Sequence, residues 1–523
     1  MRSQGGLVLV VVGWIAAAGV LGCGGSAPIV ETFPPDPAPA VSGPAWWGFG
    51  RDAQHSALGA VASQDLNQIL WRKRIDLAPR YSGDELFIHY GSPLITDQNT
   101  VLLPIKVGAN GSFRIEARSG GNGALIWSAD SDYRLPEPVA GWTPSYNLSL
   151  SPAGRLYAPG SGGKLLLRDA PDASAGTIQT TVFYGDDAYA AAPATYDATV
   201  FINTPITIDA TGNAFFGFTV NGRNPAGLVG GIARVGSDGQ GTWVGASAAA
   251  SDPAIAMVAT ASAPALSADL RTVYVAVKVP GAAAGPSAYL LALDSQTLAT
   301  RARATLLDPS TGAAARVDDS ATASPTVGPD GDVYFGVLEG GQAHNNRGWL
   351  LHFDATLSTP KLPGSFGWDD TASIVPATMV ASYTGASPYL LMTKYNNYGS
   401  QGIAGDGKNR VAILDPGASQ PDPFSDATVM KEVLTILGPT ADPAVGGGVK
   451  EWCINSAAVD PLTESVLVNS EDGVLYRWDL STNQLSQHVR LTNGLGEAYT
   501  PTAIGADGAV YAISNATLFV VGR

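Results

Sequence analysis

The sequence predicts an all-β propeller, built of eight four-stranded blades or of seven, and three observations carry that prediction. The first is a recurring phrase, clearest at Ala323-Ser324-Pro325-Thr326-Val327-Gly328-Pro329-Asp330-Gly331-Asp332-Val333-Tyr334-Phe335. It reads as Ser-Pro, a short apolar strand, a Pro-Asp-Gly turn and a second strand carrying an aromatic residue. Pro is tolerated where a strand begins, Asp-Gly supplies the positive φ of a tight turn, and Val and Tyr suit a half-buried pleated surface. The second is composition: 14% charged residues against 45% hydrophobic, with 62 Gly and 36 Pro in 523 residues. That balance fits a turn-rich β protein and excludes low-hydrophobicity disorder for most of the chain. The third is that the two ends complement each other, as set out below.

Residues 1–23 read as an address. Arg2 supplies a positive start, Leu7 to Leu21 form an apolar run too short for a comfortable membrane span, and the segment closes on Val20-Leu21-Gly22-Cys23. This resembles a bacterial lipoprotein signal, and the resemblance implies that Cys23 is lipidated and begins the mature chain. Gly24 and Gly25 stand where an inner-membrane retention signal would place Asp, so the resemblance implies an outer-membrane lipoprotein, on its periplasmic or its cell-surface face. Residues 24–43, rich in Pro, Ala, Ser and Gly, read as a flexible tether. Residues 44–523 form the propeller.

The propeller opens with Pro44-Ala45-Trp46-Trp47-Gly48-Phe49-Gly50-Arg51-Asp52-Ala53-Gln54-His55-Ser56, followed by a strand ending in Leu70-Trp71. This opening resembles the start of β-propellers built from pyrroloquinoline-quinone-type repeats, the quinoprotein dehydrogenase-like group. The repeats then begin at Ser92-Pro93, Thr143-Pro144, Thr204-Pro205, Ala263-Pro264, Ser324-Pro325, Val375-Pro376, Ser456-Ala457 and Thr500-Pro501. Their spacing is roughly 45 to 80 residues. The longest insertion is expected between Tyr395 and Val449, with a Pro-rich run from Pro416 to Pro423, as a lid over the mouth or a rim decoration. Seven blades result if the unit at 375–449 is two pieces of one blade, or a lid. The last unit supplies three strands and stops at Arg523, while Ile69-Leu70-Trp71 is a strand without a partner. Placing that strand outside the last blade closes the ring without a free edge.

In a propeller the loops leading into the innermost strands gather on one face, around the channel mouth. Here they present His89, Trp142, Asn203, Asp318-Asp319, Trp368-Asp369-Asp370, Glu451-Trp452-Cys453 and Glu497. The candidate ligand-binding residues are therefore His89, Trp142, Asp319, Trp368, Asp370, Glu451 and Glu497, with Asp370 and Glu451 as candidate metal ligands. Converging carboxylates suit calcium, or a cationic or sugar-like ligand flanked by rings. The bland alternative is that these acids cap turns. His352 alternates with Leu351 and Phe353 and reads as a surface or hydrogen-bonded residue, and Cys453 reads as a small buried side chain.

The resemblance to quinone enzymes implies a Trp-stacked quinone with calcium nearby, often beneath a disulfide. Cys23 is committed to lipid, leaving Cys453 alone, and no Cys-x-x-Cys-His haem site is present, so the quinone is disfavoured. There is no Gly-x-Ser-x-Gly elbow and no His-Glu-x-x-His helix. A formal charge of −15 argues against nucleic acid as a partner. The expected function is a binding or scaffold module taking a protein partner or a surface ligand. The alternative is an enzyme with an acidic, calcium-binding mouth, either a quinone-dependent dehydrogenase or a sugar-acting lyase or hydrolase.

Overall fold

A computed structural model describes residues 44–523 apart from 84, 87, 110, 137–145, 281–287, 318–322, 340–347, 366, 396–406, 453 and 498–500. Eight antiparallel sheets follow one another along the chain as eight blades. Blade 1 comprises Leu94–Ile95, Thr100–Lys106, Phe113–Ser119 and Leu125–Ser131. Blades 2, 3 and 4 have inner strands Ser149–Leu150, Thr207–Ile208 and Ala265–Leu266. Blade 5 has three strands, Thr326–Val327, Val333–Val337 and Trp349–Phe353, and residues 360–364 take the outer place through bridges Leu350–Gly364 and Phe353–Pro360.

Blade 6 is the unit that left the blade number open. It is one four-stranded sheet, Ser373–Pro376, Tyr389–Tyr395, Arg410–Pro421 and Thr428–Leu437, so the ring has eight blades. Within the expected insertion at 395–449, residues 410–421 and 428–437 are thus the outer two strands of a blade. Its Pro-rich stretch is accommodated where the pairing shifts register between Asp415 and Ser419, because a bulge frees a proline from ladder bonding. Val375-Pro376 ends the inner strand instead of opening it; the opening is Thr371-Ala372. Thr143-Pro144 lies outside the described residues, ahead of the inner strand at Ser149. Blade 7 begins at Ala458–Asp460. Blade 8 pairs Ala503–Ile504, Val510–Ser514 and Thr517–Gly522 with Gln68–Arg74 from the N-terminal part of the chain, closing the ring as expected.

The strands are apolar on both faces because each blade is sandwiched between two others. In blade 4, Val273, Val275 and Val277 pack with Phe215 and Ile232 of blade 3. The alternating residues Tyr274 and Ala276 pack with Val333 and Phe335 of blade 5. A period of two thus delivers one residue set to each neighbour.

The recurrent Ser and Thr at the inner strands join the blades. Ser149 Oγ donates to the Ile206 carbonyl, Thr207 Oγ1 to Pro264, Thr326 Oγ1 to Ala372 (2.8 Å) and Ser373 Oγ to Ala457 (2.7 Å). Each hydroxyl reaches the residue just before the next blade's inner strand.

The segment after Pro44 runs across the far ends of these inner strands. Ile95 N–H donates to the Trp46 carbonyl, Leu150 to Trp47, Leu266 to Ala53, Val327 to Gln54, Ile374 to Ser56 and Val459 to Ala57. Six blades are met in chain order. The curvature is paid in backbone conformation: Gly50, Arg51, His55 and Ala57 all have φ between 55° and 76°. A Cβ on Gly50 would lie 2.8 Å from the Cβ of His55, so only glycine fits.

Candidate functional site

The mouth lies at the opposite end of the channel from this segment, where the chain leads into the inner strands. Trp368, Asp369 and Asp370 lead into blade 6, and three glycines let them sit low. A Cβ on Gly336 of blade 5 would come 1.9 Å from the Gly367 carbonyl oxygen and 2.9 Å from that of Asp370. One on Gly348 would come 2.9 Å from the Trp368 Cβ, and Gly367 itself has φ 143°. Asn455, from the loop leading into blade 7, donates through Nδ2 to the Asp369 carbonyl (3.0 Å), and Thr371 N–H donates to the Asn455 carbonyl (2.7 Å).

At the centre is a residue that sequence reasoning missed. Lys394 is the penultimate residue of the second strand of blade 6, and its Nζ lies 2.8 Å from Asp369 Oδ1, both side chains being buried. Thr393 Oγ1 and the Lys394 N–H (3.0 Å) both donate to Asp370 Oδ2. Burial opposes the lysine's charge, and the carboxylates of Asp369, Asp370 and Glu451 outweigh it, holding its pKa above the ordinary value. Burial raises the Asp370 carboxyl to about 7, against the lowering effects of Lys394 and the two hydrogen bonds. Asp370 Oδ1 is buried and meets no hydrogen-bond donor among the described residues. The detectable signal was positional. Blades 4 and 5 have Ala276 and Gly336 two residues after the tyrosine paired to the first inner-strand residue; in blade 6 that partner is Met392, and Lys394 lies two residues after it.

The structure therefore brings Asp370 and Glu451 together around Lys394, and Trp368, two residues before Asp370, is half-buried. His89 is buried in the loop leading into blade 1, next to Tyr90, whose hydroxyl donates to Asp76 (3.4 Å); Asp76 in turn pairs with Lys106 (3.0 Å). No described contact links His89 to Asp370. The backbone of Glu497 pairs with Leu86 in a small sheet formed by Tyr81–Ser82, Glu85–Leu86 and Gly496–Glu497. Trp142, Asp319, Cys453 and Cys23 lie outside the described residues. His352 is buried with both ring nitrogens engaged, Nδ1 by the Leu362 carbonyl (3.1 Å) and Nε2 by Asp332 (2.9 Å).

Three carboxylates surround an ammonium here, with Asp369 paired to it and Asp370 Oδ2 taken by two hydrogen bonds, so the cluster falls short of the six to eight oxygens calcium takes. Among the described residues no group of three His, Cys, Asp or Glu could hold a metal. A quinone bearing several carboxylates fits no better, since the described cluster offers one ammonium, already paired with Asp369.

No family model matches the chain, and no curated protein matches it in sequence. Among solved structures it is similar to a europium-containing methanol dehydrogenase, at 10% identity over 90% of this chain and 89% of that one, with TM-score 0.55. It is also similar to the quinohemoprotein alcohol dehydrogenase of Comamonas testosteroni, at 12% identity over 91% and 81%, with TM-score 0.51. BamB of Moraxella catarrhalis aligns at 13% identity over 83% and 96%, with TM-score 0.43, too low to carry an argument. At these identities the likeness is one of fold. The chain is an eight-bladed β-propeller, and it shares its fold with the two dehydrogenases.

Proposed function

We propose that this protein is an exported binding module whose mouth takes a small polar ligand at Asp370. The observation that carries the reading is the buried Asp370 Oδ1 without a donor. A buried acceptor left unpaired costs roughly 1–3 kcal/mol, which an incoming hydroxyl or ammonium would recover. Trp368 offers a ring to the rest of such a ligand, and Lys394 pairs with the neighbouring Asp369. The lipoprotein-like segment ending at Cys23 supports anchoring at an outer membrane, and a protein partner on the rim belongs to the same reading. The test is thermal unfolding of the chelator-stripped mature protein with calcium, pyrroloquinoline quinone, simple sugars and simple amines. A rise in midpoint that grows with concentration, and that Asp370→Asn removes, supports the mouth site. No rise with any probe sinks it.

A second reading, an enzyme, is favoured by one observation: a carboxyl with a pKa of about 7 beside a buried ammonium is suited to proton abstraction at neutral pH. It predicts a rate that rises with pH through about 7 and loses that limb in Asp370→Asn.

A further inference from the structure

On the far side of the ring closure, between blades 7 and 8, a cavity of about 430 Å³ is lined by Arg72, Arg74, Thr492, Asn515, Thr517 and Phe519 among others, and none of its lining residues is acidic. That is unusual local chemistry in a chain with 45 acidic and 30 basic residues. Its geometry follows from the closing strand. Arg72 pairs with Phe519 and Arg74 with Thr517 in the ladder, so both guanidinium groups leave the same face of blade 8, two residues apart.

The two arginines differ in availability. Arg74 Nε donates to the Asp76 carbonyl (2.8 Å), which fixes its stem. Arg72 is exposed and enters no hydrogen bond or ion pair with a described residue. Around them are short, already ordered polar groups. Thr492 Oγ1 is bonded to Ser514 Oγ (2.9 Å), and Asn515 Oδ1 accepts from the Tyr81 hydroxyl (2.8 Å). The floor, Phe519, is buried and apolar.

We infer that this cavity is a binding site for a small oxyanion, a carboxylate or a phosphate, carried on a compact planar or apolar body. The planar guanidinium fork matches either oxyanion in two-point geometry. Arg72, the uncommitted cation, makes that contact; Arg74 adds charge, and Thr492 and Asn515 surround the anion. Phe519 and Leu491 receive the apolar part. The volume falls within the range of small-ligand sites. This site is remote from Asp370 and stands or falls independently of the mouth.

The experiment is calorimetric titration of the mature protein with inorganic phosphate, phenyl phosphate, benzoate and acetate at low salt. Phenyl phosphate and benzoate are expected to bind at least tenfold tighter than phosphate and acetate, because only they reach the floor. Arg72→Gln, at an exposed position, should weaken phenyl phosphate at least tenfold while leaving the thermal midpoint unchanged. Thr492→Val should weaken it severalfold. Sedimentation with phosphatidylglycerol vesicles, with and without competing phenyl phosphate, separates a lipid headgroup from a free ligand as the source of the anion. Equal binding by wild type and Arg72→Gln, or no heat with any of the four anions and no vesicle binding, overturns the proposal.

Discussion

Two buried ionisable residues at opposite ends of the channel give opposite pH dependences. His55 donates through Nδ1 to the Pro325 carbonyl (2.7 Å), its Nε2 has no partner among the described residues, and burial lowers its pKa to about 4. A histidine depressed on folding stabilises above its unfolded pKa, and that stability is lost as pH falls from about 6.5 to about 4. Asp370 is raised on folding to about 7, so its contribution is complete below about 4 and is lost as pH rises to about 7. Each amounts to a few kcal/mol at most. The two largely cancel in the wild-type protein between pH 4 and 6.5. Urea unfolding across pH should show Asp370→Asn gaining on the wild type as pH rises from about 4 to about 7, with no further gain above it. His55→Asn should lose less stability than the wild type on acidification, since Asn tolerates the left-handed backbone at φ 60°. Parallel profiles for all three proteins would remove both assignments.

At the scale of elements, the mouth loop depends on glycine in a neighbouring blade. Gly336→Ala should destabilise by about 2–3 kcal/mol, because the new methyl meets two carbonyl oxygens instead of a movable side chain. It should also disturb whatever binds at Asp370. Gly121→Ala, with nothing within 4 Å of the added carbon, is the control and should stay within about 0.5 kcal/mol. Chemical denaturation measures both, and equal effects would show that the loop yields. The blades themselves were legible because their signals are local: a hydroxyl residue, a proline, a turn, an aromatic. The reading failed at Val375-Pro376, where a proline within the strand imitated one before it. The carboxylates of the mouth were legible as loop residues, whereas Lys394 was not. It lies on a strand whose other members are mostly apolar, and only pairing to the inner strand shows that its position elsewhere holds Ala276 or Gly336.

At the scale of the molecule, ring closure was predictable from the missing fourth strand, but the crossing of the channel was not. Six of the eight blades receive a contact from residues 46–57, and contacts so far apart in sequence leave no periodic trace. The same stretch of chain crosses the channel and completes blade 8. A chain beginning at Ile75 should therefore expose the edge of Thr517–Gly522, lose its six inner-strand partners and associate or unfold. Size-exclusion chromatography and tryptophan fluorescence would show this, and adding a peptide of residues 44–74 should restore a monomer. A truncated chain that remains monomeric and native would mean that the other seven blades hold the ring alone.

The crossing segment also sets how the protein answers a mechanical load. Tension applied upstream of Pro44 enters the ring at the pair formed by Trp46 and Ile95, then passes to Leu150 before any other blade. The bonds are loaded one after another, as in a zip fastener, instead of sharing the strain. A modest pull would therefore free the channel crossing progressively from blades 1 and 2, while the ladder between Gln68–Arg74 and Thr517–Gly522 is reached last and keeps the ring shut.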